Sequence, residues 1–247
     1  MTINQYLDST YLKTAVQAGL TEKENETIVR EFVQEAIDEK FKLIMIRPNY
    51  VAMAKEMMLK AKSKVGIGTV IDFPDGQSLL QGKLEQANQA IADGADDLDF
   101  VCNYEAFKTG DIALVKNEIL QCTQLGLANH KIVKWIIEVA ALNSQQIVQL
   151  TVLIKNTIMS NFKEEHYGAV FVKSSTGFYK TENNSPNGAT VPAIIMMLEN
   201  AFPLPVKAAG GVRTFEEATQ MIRLGVKRIG TSSAKIIASG GVANNNY

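Results

Sequence analysis

The chain has 247 residues, 46% of them hydrophobic and 21% charged, which allows a sizeable core and excludes global disorder. Its 25 basic and 26 acidic side chains leave a formal net charge of -1, so no basic excess points to nucleic acid as the main partner. No apolar run reaches the roughly 18–20 residues of a membrane span, and the start, Met1 to Gln5, lacks the basic-then-apolar layout of a signal peptide.

In chain order, a weak strand at Gln5–Asp8 comes first. Thr21 and Glu24 then form a capping box ahead of Ile28, Val29, Phe32, Val33 and Ile37, which recur at helical spacing. The next pairs are strand Lys42–Ile46 with a short helix Tyr50–Lys60, and strand Lys64–Ile71 with helix Leu79–Ala92. Strand Asp97–Val101 precedes helix Ile112–Leu125, and strand Ile132–Glu138 precedes helix Ser144–Met159. Strand Ala169–Ser174 leads to helix Val191–Asn200, strand Val206–Ala209 to helix Phe215–Leu224, and strand Arg228–Thr231 comes last. Most of these strands are short and rich in Val, Ile or Phe, as strands covered on both faces are. Gly94, Gly126 and Gly225 read as helix-ending glycines. Eight strands alternating with helices imply parallel pairing and favour a single-domain (β/α)8 TIM barrel, an α/β fold that routinely takes this length. Periodicity alone leaves an open doubly wound sheet as the alternative. Tyr179–Gly188, with three asparagines, a proline and a glycine, breaks the rhythm and reads as a mobile surface loop or lid. Within it Asn183-Asn184-Ser185 fits a glycosylation sequon, which carries little weight without a secretion signal. Residues 239–247 read as a tail.

The two cysteines, Cys102 and Cys122, have no metal-ligand spacing and suggest a reducing, cytoplasmic setting. The two histidines, His130 and His166, are too few for a three-histidine zinc centre. In parallel barrels reactive groups gather where strands end. Polar residues inside or just after the strands are Asp8, Asp97, Asp99, Lys134, Glu138, Lys173 and Lys207, followed by the runs Ser174–Gly177, Gly210-Gly211 and Gly230–Ser233. Lys173 and Lys207 sit in apolar strands that follow one another, so both can meet inside a barrel. Desolvation and a neighbouring cation favour a neutral amine, which attacks carbonyls. The plainer reading pairs each lysine with a carboxylate such as Glu138 as part of an ordered barrel mouth, and spacing leaves both open. Asp97 and Asp99 share a strand face, as Lys134 and Glu138 are expected to. An inward salt-bridge network suits Asp97, and Asp99 is open between that and proton transfer. Gly210-Gly211 and Gly230–Ser233, after the last two strands, are where barrels often hold phosphate on backbone N–H groups.

Seven segments together resemble the deoxyribose-phosphate aldolase family. They are Leu7-Asp-Ser-Thr-Tyr-Leu-Lys13, Val65-Gly-Ile-Gly-Thr-Val-Ile-Asp-Phe-Pro-Asp-Gly76, Gly94-Ala-Asp-Asp-Leu-Asp99, Lys134-Trp-Ile-Ile-Glu138, Val172-Lys-Ser-Ser-Thr-Gly177, Val206-Lys-Ala-Ala-Gly-Gly-Val-Arg-Thr214 and Arg228-Ile-Gly-Thr-Ser-Ser233. The resemblance runs nearly end to end. It implies a class I aldolase that cleaves 2-deoxy-D-ribose 5-phosphate to glyceraldehyde 3-phosphate and acetaldehyde with no metal and no organic cofactor. By the same resemblance Lys173 forms the Schiff base, Lys207 depresses its pKa and Asp99 completes a proton relay. Lys134, Glu138 and Thr176 support them, and Gly177, Gly210, Gly211, Ser232 and Ser233 hold the phosphate. Some members end in a tyrosine that reaches the site, a role open to Tyr247. The expected partners are a small sugar phosphate and an aldehyde, with no nucleic acid and no membrane, and a homodimer as the candidate assembly. The sequence departs from the family in the longer 179–188 loop, in Val139-Ala140, in Met45 and in Phe178. These leave substrate range open, so a class I aldolase for another sugar phosphate or aldehyde is the second reading and a non-catalytic sugar-phosphate-binding barrel the third.

Overall fold

A computed structural model describes residues 2–182 and 186–241. Its strands are β1 (Leu7–Tyr11), β2 (Leu43–Ile46), β3 (Gly66–Ile71), β4 (Asp97–Val101), β5 (Ile132–Ile136), β6 (Val170–Lys173), β7 (Val206–Ala209) and β8 (Arg228–Thr231). The strands pair in parallel in chain order, and β8 pairs back onto β1, so the sheet closes. Closure removes the open-sheet alternative and both sheet edges with it.

The helices are α1 (Ala15–Ala18), α2 (Glu22–Asp38), α3 (Val51–Lys60), α4 (Leu80–Asp93), α5 (Tyr104–Lys108), α6 (Ile112–Ala128), α7 (Ser144–Asn161), α8 (Val191–Ala201), α9 (Phe215–Leu224) and α10 (Ala234–Ala238). Thr21 and Glu24 cap α2 reciprocally, as the sequence predicts. The short helices α1, α5 and α10 have too few turns to show a 3.6-residue period, which is why the apolar pattern does not reveal them. Residues Ile3–Tyr6 form a 3₁₀ turn, so β1 starts two residues later than expected and carries on to Tyr11. Gly94 and Gly225 do end α4 and α9, each in the left-handed region. Gly126 does not end a helix, because α6 continues to Ala128. A Cβ at Gly126 would fall on Val133 Cγ2 of β5, so this glycine exists for close helix–strand approach.

Most of the core lies between the barrel and its ring of helices. Trp135 on β5 stacks on Phe100 of β4 at 5.2 Å and donates from Nε1 to Thr123 of α6 at 3.0 Å, so its one polar atom is satisfied. Buried Lys83 of α4 donates to the carbonyls of Gly76 and Val101 and to Glu118 of α6 at 2.6 Å. That joint ties the loop after β3 to the end of β4. Inside the barrel the filling divides. Leu12, Leu43, Met45 and Val70 make an apolar cluster capped by Phe73 and Phe178, and the opposite wall is charged. Cys102 and Cys122 are buried free thiols, and burial pushes both thiols up, that of Cys122 to about 12. Among the described residues no helix is long and apolar enough to cross a membrane.

Candidate active site

The charged wall is built from seven strand residues that point inward. Asp8 lies on β1, Asp97 and Asp99 on β4, Lys134 on β5, Lys173 on β6, Lys207 on β7 and Arg228 on β8. Register sets the meeting: Lys173 is the neighbour of Lys207, and Asp99 that of Lys134. Asp99 Oδ2 accepts from Lys173 at 2.8 Å and from Lys207 at 3.0 Å, and its Oδ1 accepts from Lys134 at 2.7 Å. Lys134 also donates to Asp97 at 2.7 Å. Arg228 donates to Asp8 Oδ1 at 2.7 Å and to Asp97 Oδ2 at 3.2 Å. Lys207 Nζ lies 2.7 Å from Asp8 Oδ2 as an ion pair.

Four cations thus face three carboxylates. Lys134, Lys207 and Arg228 each touch two carboxylates, whereas Lys173 touches one and shares its oxygen with Lys207. Lys173 is the supernumerary charge. Burial, helped by Lys207 and Lys134 and opposed by Asp99, brings its amine down to about 8. Burial alone would raise Asp99, but Lys134, Lys173 and Lys207 together hold it well below the usual carboxylate range. Lys134 is moved the other way: burial opposes its charge, and Asp97 and Asp99 raise it. The plainer expectation, that each lysine pairs with a carboxylate, holds for the pairing itself, but the partners are Asp99 and Asp8 and not Glu138.

Glu138 does not share a strand face with Lys134. β5 ends at Ile136, and Glu138 turns into the left-handed region at φ 54°. That turn aims its buried carboxylate at the loop after Lys173, where it accepts from Ser175 Oγ at 2.8 Å, from the Thr176 amide at 3.1 Å and from the Thr176 hydroxyl. Burial raises its pKa against these hydrogen bonds.

A cleft of roughly 890 Å³, counting its open mouth, lies over the C-terminal ends of β6, β7 and β8. Its wall includes Lys173, Thr176, Gly177, Gly210, Gly211 and Ser232. Of the three barrel lysines only Lys173 lines it; Lys134, Lys207 and Asp99 lie beneath. Ser233 is not part of the wall; its amide closes the turn into α10 by donating to Thr231 Oγ1. Tyr247 lies outside the described residues, as do Asn183–Ser185. The flanks of the polar loop pack onto the site. Phe178 meets Phe73 edge-on at 5.1 Å, Ser175 Oγ lies 2.7 Å from the Asn187 carbonyl oxygen, and Gly188 abuts the Gly210 backbone so closely that neither could carry a Cβ.

Sequence reasoning did not single out five residues that the structure places here, the first of them Arg228 of the charged wall. Thr10, Asn187 and Arg213 line the cleft. Arg47 lies over Phe73 at 4.9 Å and donates to the Leu12 carbonyl at 2.7 Å. Arg213 could have been found, since it follows the Gly210-Gly211 turn directly.

A desolvated amine that opens into a cleft, with two glycine-rich loops opposite, is equipment for attack on the carbonyl of an anionic substrate. The comparisons agree with that class. The sequence model described as DeoC/LacD family aldolase matches residues 8–243. Curated proteins named deoxyribose-phosphate aldolase are similar over nearly their whole length. The one from Thermococcus gammatolerans is 36% identical over 97% of this chain and 96% of its own, and the one from Exiguobacterium sibiricum 37% over 95% and 96%. The solved structure "QR15, an Aldolase" superposes with a TM-score of 0.79 at 31% identity, covering 96% of this chain and 94% of that one. A deoxyribose phosphate aldolase from Aeropyrum pernix, described as a unique tetramer, gives 0.78 at 28% identity over 96% and 89%. The chain belongs to the DeoC/LacD aldolase family and is an aldolase, hence a lyase.

Proposed function

We propose that the protein cleaves 2-deoxy-D-ribose 5-phosphate reversibly to D-glyceraldehyde 3-phosphate and acetaldehyde, with Lys173 as the Schiff-base lysine. The observation that carries this reading is the position of Lys173: the uncompensated cation of the barrel interior is also the lysine at the cleft wall. Its neutral amine attacks the C1 aldehyde, and loss of water leaves an iminium. Loss of the C3 hydroxyl proton then breaks the C2–C3 bond, whose electrons flow into the iminium. Glyceraldehyde 3-phosphate departs, leaving an enamine on Lys173. Protonation at C2 and hydrolysis release acetaldehyde and restore the amine. Lys207 keeps Lys173 short of protons, Asp99 passes protons between them, and Lys134 holds Asp99 in place. The backbone at Gly177, Gly210 and Gly211 with Ser232 holds the phosphate; Ser233 supports that loop. Tyr247 assists protonation at C2 in the same reading.

The test is borohydride trapping with deoxyribose 5-phosphate, followed by intact mass and peptide mapping. The expected product is one reduced adduct on Lys173. An adduct on Lys207 would exchange the two lysine roles. Folded protein that binds the sugar without any adduct would leave a sugar-phosphate-binding barrel. Turnover of another sugar phosphate and not of this one would replace the substrate. For setting and assembly we propose a cytoplasmic homodimer, with the buried free thiols supporting the first and the exposed apolar side chains Val16, Leu79 and Phe202 the second.

A further inference from the structure

The ion-pair network does not stop at the cleft. It runs down the barrel axis from Lys173, the last residue of β6, to Asp97 and Arg228, the first residues of β4 and β8. Asp97 and Arg228 line a second cavity at the opposite, N-terminal end of the barrel, beside Lys42, Lys64 and Lys227. Each link is a buried contact: Lys173 to Asp99, Asp99 to Lys134, Lys134 to Asp97, Asp97 to Arg228, with Arg228 returning through Asp8 and Lys207 to Asp99. Neither base residue touches the substrate cleft.

We propose that Arg228 and Asp97 are positioning residues that set, from the far end of the barrel and in opposite directions, how readily Lys173 gives up its proton. This rests on the reading of Lys173 as the Schiff-base lysine. Without Lys173 the network holds three cations and three carboxylates, so a neutral Lys173 leaves the interior balanced. Removing the Arg228 charge would leave room for a protonated Lys173; removing the Asp97 charge would expel its proton further. The groups that face Lys173 are Asp99 from β4, Lys134 and the following Glu138 from β5, and Lys207 from β7. Beyond Asp99 and Lys134 the next charges are Asp97, Arg228 and Asp8. A unit charge on the order of 10 Å away, at an effective dielectric of about 20, moves a pKa by about one unit.

The experiment compares Arg228→Gln, Arg228→Lys and Asp97→Asn with the parent. It reads the pH dependence of acetylation of the Lys173 peptide by mass spectrometry, together with the acidic limb of kcat/KM for deoxyribose 5-phosphate. The expected midpoint rises by about one unit in Arg228→Gln, falls by about one unit in Asp97→Asn, and returns to the parent value in Arg228→Lys. Midpoints that stay put, or move the same way in both neutralising variants, overturn the proposal, since a merely loosened barrel would change rates without opposite shifts. If Arg228→Gln fails to fold, Asp97→Asn decides alone by the direction of its shift. Acetylation midpoints that shift as expected while Lys173 takes no substrate adduct would overturn the aldolase role of Lys173 and leave the charge coupling standing.

Discussion

Protonating Lys173 sets four buried cations against three carboxylates, and this makes the residue a stability liability as well as a reactive group. The amine falls from an ordinary 10.5 to about 8 on folding. Between those values the unfolded chain binds more protons than the native one, so the stability contribution of this lysine rises with pH through about 8 to 10.5. Below about 8 the native state carries the full burden, about 3 kcal/mol for a shift of this size. Lys173→Met is therefore expected to abolish turnover yet raise the urea midpoint at pH 7, with the gain shrinking as pH climbs toward 10. Equal or lower stability of the variant at pH 7 would mean that Asp99 compensates the lysine fully. At this scale the site was partly legible. Lys173 and Lys207 showed because a lysine in a short apolar strand is conspicuous, whereas Asp99 was visible as a strand carboxylate with its role left open. The orientation of Glu138 was not, since its positive φ is a property of the turn after β5 and not of the residues around it.

Helices and strands follow from local pattern, and the errors fall where one residue type serves two purposes. Glycine after a helical stretch satisfies a left-handed cap at Gly94 and Gly225. At Gly126 it satisfies the contact of α6 with Val133, and nothing local separates the two. The difference is measurable. In Gly126→Ala the new methyl meets a buried, β-branched side chain with little freedom at χ1. Overpacking of about 1–3 kcal/mol should exceed the helix-propensity gain of up to about 1 kcal/mol. Gly82→Ala, in α4 with its nearest neighbour Ser78 Cβ at 3.7 Å, keeps the propensity gain and lacks the clash. Thermal unfolding should put Gly126→Ala below the parent and Gly82→Ala above it. A Gly126→Ala protein as stable as the parent would show that β5 can yield at Val133.

The whole molecule is held by contacts that no window of sequence contains. Eight strand–helix units announced a parallel α/β fold, and the choice between an open sheet and a barrel lay in whether the last strand meets the first. β1 and β8 pair through Leu7, Asp8 and Ser9 with Ile229, Gly230 and Thr231. Across this seam Asp8 receives Arg228, 220 residues away in the chain. Burial opposes the Asp8 charge, but Arg228, Lys207 and Lys134 hold its pKa below the ordinary value, so the carboxylate is ionised wherever the barrel is folded near neutral pH. Asp8→Ala would strip Lys207 and Arg228 of one of the two carboxylates each touches and leave four buried cations facing two carboxylates, a loss of about 3–5 kcal/mol. Because the seam closes the whole sheet, the loss should be felt by the molecule as a unit. The urea midpoint should fall, while the slope of unfolding free energy against urea stays that of the parent. A shallower slope with an unchanged midpoint would show that β1 and β8 part locally while the other strands hold, and closure would then rest on backbone pairing alone.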